Sequence, residues 1–327
     1  MQHAAAHRLD ASAVADTAWA YAVLGIKSEA LMAALAEQAL HDGFLSTAVS
    51  PNIANMAWAY ATLEIKNEPL MAALAQRTAQ TDYLQNMNAQ AISNTAWAYA
   101  ALGISNEALM AALASQTTQD AVLSTFESQA IANTAWAYAR MSIKNEALMA
   151  ALTQQIMQDG VLSTFKAQAV ANTVWAYATL GVRDEVLMAA FAQYVMQNGF
   201  LSTFRAQNVA NMAWAFAKVK LKDRKLMKLL AKRALQDGLI STFKFQEVAS
   251  MAWSYATLSI KDQQLMTALA DRIISEENFR KDLTSQSVAN TVWAYARLGV
   301  RNRKLLDVLA AWILQDNFLS SCTVQAV

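Results

Sequence analysis

Apolar side chains recur along this chain at helical spacing, and the helices come in pairs. In one example the apolar positions are Val170, Ala171, Val174, Trp175, Tyr177 and Ala178. They cover more than one stripe of a 3.6-residue helix and predict a helix packed on two sides. The pattern stops at Leu180-Gly181, as it does at Leu102-Gly103. A Gly after the last periodic residue ends a helix by taking the left-handed conformation without Cβ strain. A second helix is predicted to open at Ser28, Asn67, Asn106, Asn145, Asp184, Asp223, Asp262 and Asn302, whose side-chain oxygens suit the free N–H groups of a first turn. Glu follows in five of these eight, matching the helix dipole, and Pro69 falls where a missing N–H costs least. Asp-Gly pairs such as Asp159-Gly160 close the second helix, and a Leu-Ser-Thr-Phe segment leads onward.

This two-helix unit is repeated through the whole chain. Trp19, Trp58, Trp97, Trp136, Trp175, Trp214 and Trp253 follow one another at 39 residues, and Trp293 follows after 40. An aromatic stands two positions after each Trp and a Leu twelve after it. One such hairpin cannot bury its apolar faces alone, so neighbours must stack. The expected fold is all-α, an α-solenoid of eight 39-residue helix-turn-helix repeats, forming a single array over residues 1–327. Residues 321–327 match the opening of a ninth repeat, so the chain reads as a fragment of a longer array. The period places Trp, Tyr and Met in the core, with Met filling gaps.

Composition narrows the function. Apolar residues make up 55% and charged residues 16%, with 8 Gly and 2 Pro, which excludes collagen-like and disordered classes. No apolar run approaches the roughly 18–20 residues that span a membrane. A lone Cys322 excludes a disulfide framework, and His3, His7 and His41 lack the spacing and partners of a metal site. Neither a nucleophile–base pattern nor a Gly-rich phosphate loop is present. No cofactor, metal or small-molecule substrate is expected, and no catalysis.

The repeated polar residues carry the functional signal. Asn stands three before the Trp at Asn55, Asn94, Asn133, Asn172, Asn211 and Asn290, and Gln seven before it at Gln90, Gln129, Gln168, Gln207, Gln246 and Gln286. Positions seven and three before the Trp and four after it lie within about 40° on a helix. They form one polar stripe, which Arg140, Lys218 and Arg297 join at the last position. Two readings compete: an amide ladder that fixes the stacking register, or amides on base edges with cations on phosphates. Two sites vary between repeats. Nine before the Trp the series includes Glu127, Lys166, Arg205 and Lys244, and six before it Ala91, Asn208 and Glu247. Such variation inside a fixed frame fits unit-by-unit recognition or ordinary solvent drift.

Charge is uneven although the net is +1: residues 1–200 hold 8 basic and 15 acidic side chains, residues 201–327 hold 18 and 10. The densest stretch runs from Lys218 through Lys222 and Lys225 to Arg233. A region of this kind attracts polyanions by counterion release, or docks an acidic protein.

The unit Q-x-V-A-N-T-x-W-A-Y-A-x-L-G, at Gln168–Gly181, resembles the octotricopeptide repeats. It is also similar to repeats of proteins with FAST-kinase-like and RAP domains, and of helical subunits of the mitochondrial RNA-editing substrate-binding complex. The Pro-rich P-P-P-E-W segment of some octotricopeptide repeats is missing. The resemblance implies a right-handed helical-repeat RNA binder acting on mitochondrial or chloroplast transcripts, in processing, stability, editing or translation. The expected partner is single-stranded RNA along the concave face, at about one nucleotide per unit, with other protein subunits beside it. The alternative is a protein-interaction scaffold of armadillo or HEAT type.

Overall fold

The computed structural model describes residues 9–197, 199–276, 278–279 and 283–314, and all regular structure among them is helical. The chain divides between Phe165 and Lys166 into two compact units. In the first, α1 (Ala11–Val23), α3 (Ser50–Thr62), α6 (Ala89–Leu102) and α9 (Ser128–Arg140) each lead a hairpin. Their second helices are α2 (Glu29–Ala39), α4 (Glu68–Thr78), α7 (Glu107–Thr117) and α10 (Glu146–Ile156), with single-turn helices α5 (Thr81–Leu84) and α8 (Asp120–Leu123) in two connections. The second unit repeats the plan. Its first helices are α11 (Ala167–Thr179), α13 (Ala206–Lys218), α15 (Phe245–Thr257) and α17 (Ser285–Arg297). Its second helices are α12 (Glu185–Val195), α14 (Arg224–Leu235), α16 (Gln263–Ser275) and α18 (Arg303–Ile313). Each unit is an α-solenoid of stacked hairpins.

Local chemistry sets the helix bounds. The predicted caps form: Asn67, Asn106, Asn145, Asp184, Asp223, Asp262 and Asn302 accept from the N–H three residues on at 2.9–3.0 Å, and Ser28 does so at 3.5 Å. Each such cap is worth about 1 kcal/mol. The first helices end in a six-to-one bond, as from the Ile26 N–H to the Tyr21 carbonyl at 2.9 Å. The residue just before that donor is left-handed: Gly25, Gly103, Gly181 and Gly299, but also Glu64, Ser142, Lys220 and Ser259 with φ of 51–58°.

Alanine governs the packing. First helices lie directly on one another in each unit, through buried residues such as Ala57, Ala96, Ala135, Ala176, Ala213 and Ala252. Second helices meet their neighbours more sparsely. The first helices are therefore the close-packed layer of each unit, here called its inner wall, and the second helices the looser outer layer.

Trp and Tyr divide the work, which corrects the expectation that both are core. Two positions on a helix are about 200° apart, so the pair cannot face one way. The Tyr faces the hairpin interface: Tyr60, Tyr99, Tyr138, Tyr177 and Tyr255 are fully buried. Tyr60, Tyr138 and Tyr255 donate at 2.5 Å to the carbonyls of Met32, Met110 and Met227 in the preceding hairpin, Tyr295 donates to Met266 at 2.6 Å, and Tyr99 donates to Met71. Trp58, Trp97, Trp136, Trp175, Trp214 and Trp253 are only half-buried.

Polar clamps complete the stack. The Nε atoms of Arg77, Arg233 and Arg272 donate to the carbonyls of Leu45, Phe204 and Phe243, each in the connection before its hairpin, at 3.1–3.2 Å. Gln155, at the same repeat position, donates to Phe126 at 3.3 Å.

Candidate nucleic-acid interface

The amide stripe lies open on the inner wall. Gln90, Gln129, Gln168, Gln207, Gln246 and Gln286 are exposed, and Asn94, Asn133, Asn172, Asn211 and Asn290 are half-buried beside them. In the first unit a groove runs between α6 and α9, lined by Asn88, Gln90, Asn94, Glu127, Gln129 and Asn133. In the second unit a groove over α11, α13, α15 and α17 is lined by Trp175, Gln207, Asn211, Trp214, Gln246, Gln286 and Asn290. Asn88 caps its helix, but among the described residues the Gln and Asn side chains seven and three before each Trp make no hydrogen bond to one another or to the backbone. The register-fixing amide ladder is therefore not formed; stacking is fixed instead by the tyrosine hydroxyls and the Arg and Gln clamps.

The tryptophans edge the same wall. Rings of Trp97 and Trp136 lie 6.5 Å apart at 32°, those of Trp175 and Trp214 6.4 Å apart at 31°, and those of Trp214 and Trp253 6.5 Å apart at 34°. Trp175 and Trp214 line the groove of the second unit. The repeat period had marked these rings as packing residues. The 200° offset from the buried Tyr was the sequence signal for their position.

The two variable sites turn out to cap the first helices. At the site nine before the Trp, Asp10 accepts from Ala13 and Asn88 from Ala91, both at 2.8 Å, whereas Glu127 and Lys166 make no cap bond. Beside Val49, Arg205 and Lys244 the residue six before the Trp reaches back to the N–H of the site nine before. Asn52 accepts from Val49 at 3.1 Å, Asn208 from Arg205 at 3.0 Å and Glu247 from Lys244 at 2.8 Å. Thr284 and Ser287 do both. Asn208, a candidate reader from the sequence, is thus a buried cap. Burial pushes the Glu247 carboxyl above its usual range, and the Lys244 N–H and charge partly offset this. Lys166, Arg205 and Lys244 stand at N-caps with exposed side chains. The helix dipole disfavours a cation there by about 0.3–1 kcal/mol.

The remaining cations sort into three groups. Arg140, Lys218 and Arg297 are exposed on the last turns of α9, α13 and α17, and the Lys218 ammonium lies 5.8 Å from the centre of the Trp214 ring at the groove. Lys222 is a register residue: its ammonium reaches the Ser259 carbonyl of the next hairpin at 3.5 Å, as Lys27 reaches Glu64 and Lys261 reaches Gly299. Lys225 is exposed on α14, whose buried side packs toward the first-helix layer, so it lies on the outer layer away from the amides. The structure therefore joins Lys218 to the stripe and separates Lys222 and Lys225 from it.

Among the described residues no group of three metal-ligating side chains occurs, and no helix is long and apolar enough to cross a membrane. His3, His7, Cys322 and the segment 321–327 lie outside the described residues. No individual curated protein matches the chain. A family model described as RNA-editing substrate-binding complex 6 protein matches it twice, over residues 3–185 and 137–315. With nearly the whole length covered, the chain belongs to the family of RNA-editing substrate-binding complex 6 proteins.

Proposed function

We propose that the protein is a non-catalytic scaffold of an RNA-editing substrate-binding complex that holds single-stranded RNA along the inner wall of its first helices. The observation that carries this reading is the row of unpartnered amides beside half-exposed Trp rings, repeated from hairpin to hairpin. An accessible amide offers both donors and an acceptor, which complement the edge of a base. Aromatic faces add sequence-tolerant stacking of about 1–3 kcal/mol per base. Lys166, Arg205, Lys218 and Lys244 supply phosphate contacts on the second unit, whereas Glu127 lines the groove of the first. The second unit should accordingly contribute most of the electrostatic grip. Three of these cations are kept at N-caps against the dipole, as expected of residues with a role beyond folding.

The test is a salt titration of binding to a short single strand. Affinity should fall steeply with salt, and the triple variant Lys166→Glu, Arg205→Glu, Lys244→Glu should flatten the log–log slope by about 2, at ~0.7 per lost phosphate contact. Negligible binding at low salt would hand the inner wall to a protein ligand instead.

A further inference from the structure

We propose that the hairpin of α13 and α14 carries a second, outward RNA path. The strand leaving the inner groove at Trp214 turns over the loop between the two helices. It then runs along the outer face of α14, held by Lys220, Arg224, Lys225, Lys228 and Lys232. The proposal rests on the RNA reading above and extends it to a separate face.

The repeats themselves supply the comparison. The position of Arg224 holds Glu29, Glu68, Glu107, Glu146 and Glu185 in the five preceding hairpins, and that of Lys228 holds Ala33, Ala72, Ala111, Ala150 and Ala189. In this one hairpin every exposed position of α14, residues 224, 225, 228 and 232, is Lys or Arg. Solvent drift has no reason to move four positions of one helix to the same charge. Folding opposes the change as well. Arg224 meets the positive end of the helix dipole where Glu favoured it, and Arg224, Lys228 and Lys232 repel one another at four-residue steps. Lys220 stands at the left-handed position between the helices, which Glu64, Ser142 and Ser259 also occupy in other hairpins. A cluster on α14 kept against two local rules is explained by what it binds.

Continuity with the groove favours RNA over an acidic protein segment, and the cations are free to act. The path is continuous with the groove, since Lys218 lies over the Trp214 ring and Lys220 follows in the turn. Among the described residues none of Lys218, Lys220, Arg224, Lys225, Lys228 and Lys232 is ion-paired to a carboxylate. The α14 face offers no aromatic ring, so it would hold backbone phosphates without reading bases.

The experiment restores the repeat frame in the full chain with Arg224→Glu, Lys225→Ala, Lys228→Ala and Lys232→Gln, the residue types other hairpins carry there. Folding is checked by circular dichroism and thermal melting. Binding is measured for a single strand of about eight nucleotides, one per hairpin, and for one about three times longer. The long strand should bind wild-type protein more tightly than the short one. The variant should lose about ten-fold or more for the long strand, with a log–log salt slope flatter by about 2–3. Short-strand affinity should stay within about two-fold, because the groove is untouched. Equal long-strand affinity of variant and wild type overturns the outer path while leaving the groove reading intact. Absence of short-strand binding overturns the groove reading first. A poly-glutamate peptide that binds wild type but not the variant, with long-strand affinity unchanged, reassigns the face to an acidic protein.

Discussion

Replacing the amides of the second unit separates a recognition surface from a structural ladder. In the variant Gln207→Ala, Gln246→Ala, Asn211→Ala, Asn290→Ala, no intramolecular hydrogen bond is lost, since these side chains have none among the described residues. Alanine is the better helix former, by about 0.5 kcal/mol over Asn and a few tenths over Gln. Some packing of the half-buried Asn211 and Asn290 is given up in return. Unfolding free energy should therefore change by less than about 1 kcal/mol in total. RNA binding should respond differently. Each amide that pairs with a base edge contributes about 0.5–1.5 kcal/mol, so four give about 2–6 kcal/mol, a loss of thirty-fold or more. Urea denaturation and fluorescence anisotropy on the same preparation measure both quantities. A ladder predicts the reverse: several kcal/mol of lost stability. Should stability fall by more than about 2 kcal/mol while RNA affinity holds, the amides bind the neighbouring repeat and the reasoning is wrong.

Two other predictions test the scaffold. Thr134 and Thr95 occupy one repeat position and are both buried, but the Thr95 hydroxyl donates to Ala91 at 2.7 Å while that of Thr134 has no partner. Thr134→Val should stabilise by about 1 kcal/mol and Thr95→Val should cost about as much; equal signs in chemical denaturation would refute the assignment. Burial raises the phenols of Tyr60, Tyr99, Tyr138, Tyr255 and Tyr295 well above the ordinary value. Their folded pKa exceeds the unfolded one, so this stability is complete below about pH 10 and is lost as pH rises, at ~1.4 kcal/mol per pH unit per phenol. Urea melts across this range check it, and phenolate absorbance that rises before unfolding would contradict it.

The repeat, its helix bounds and its caps were legible because they are local. A side-chain oxygen at Asn67 or Asp184 and a Gly at Gly103 act within a turn of themselves. The capping exchange is equally local, but it is visible only in the two variable sites together and not in either alone. Read as pairs, Val49 with Asn52, Arg205 with Asn208 and Lys244 with Glu247 each place an acceptor at the second site where the first lacks one. Other features depend on distances between hairpins that no periodicity encodes. Whether Asn94 meets an amide in the next repeat, and whether Lys222 reaches Ser259, follow from how closely Ala-rich helices approach.

Sorting the polar side chains by partner bears on specificity. The positions that vary inside the groove are few. The site six before the Trp is either Ala or a residue spent on capping, and the site nine before it varies chiefly in charge, from Glu127 to Lys166, Arg205 and Lys244. Charge addresses phosphates, which are the same along any strand. The groups able to address bases, Gln and Asn at fixed offsets and the Trp faces, are the same in hairpin after hairpin. A surface that presents one set of donors and acceptors at each step cannot distinguish one order of bases from another, though it can prefer one base throughout. The wall should hold single strands of mixed sequence with affinities within about ten-fold of one another, since stacking and backbone contacts tolerate sequence. Scrambling an RNA of fixed composition is the direct check. An affinity change well beyond ten-fold on scrambling would mean that recognition resides in residues other than this repeated stripe.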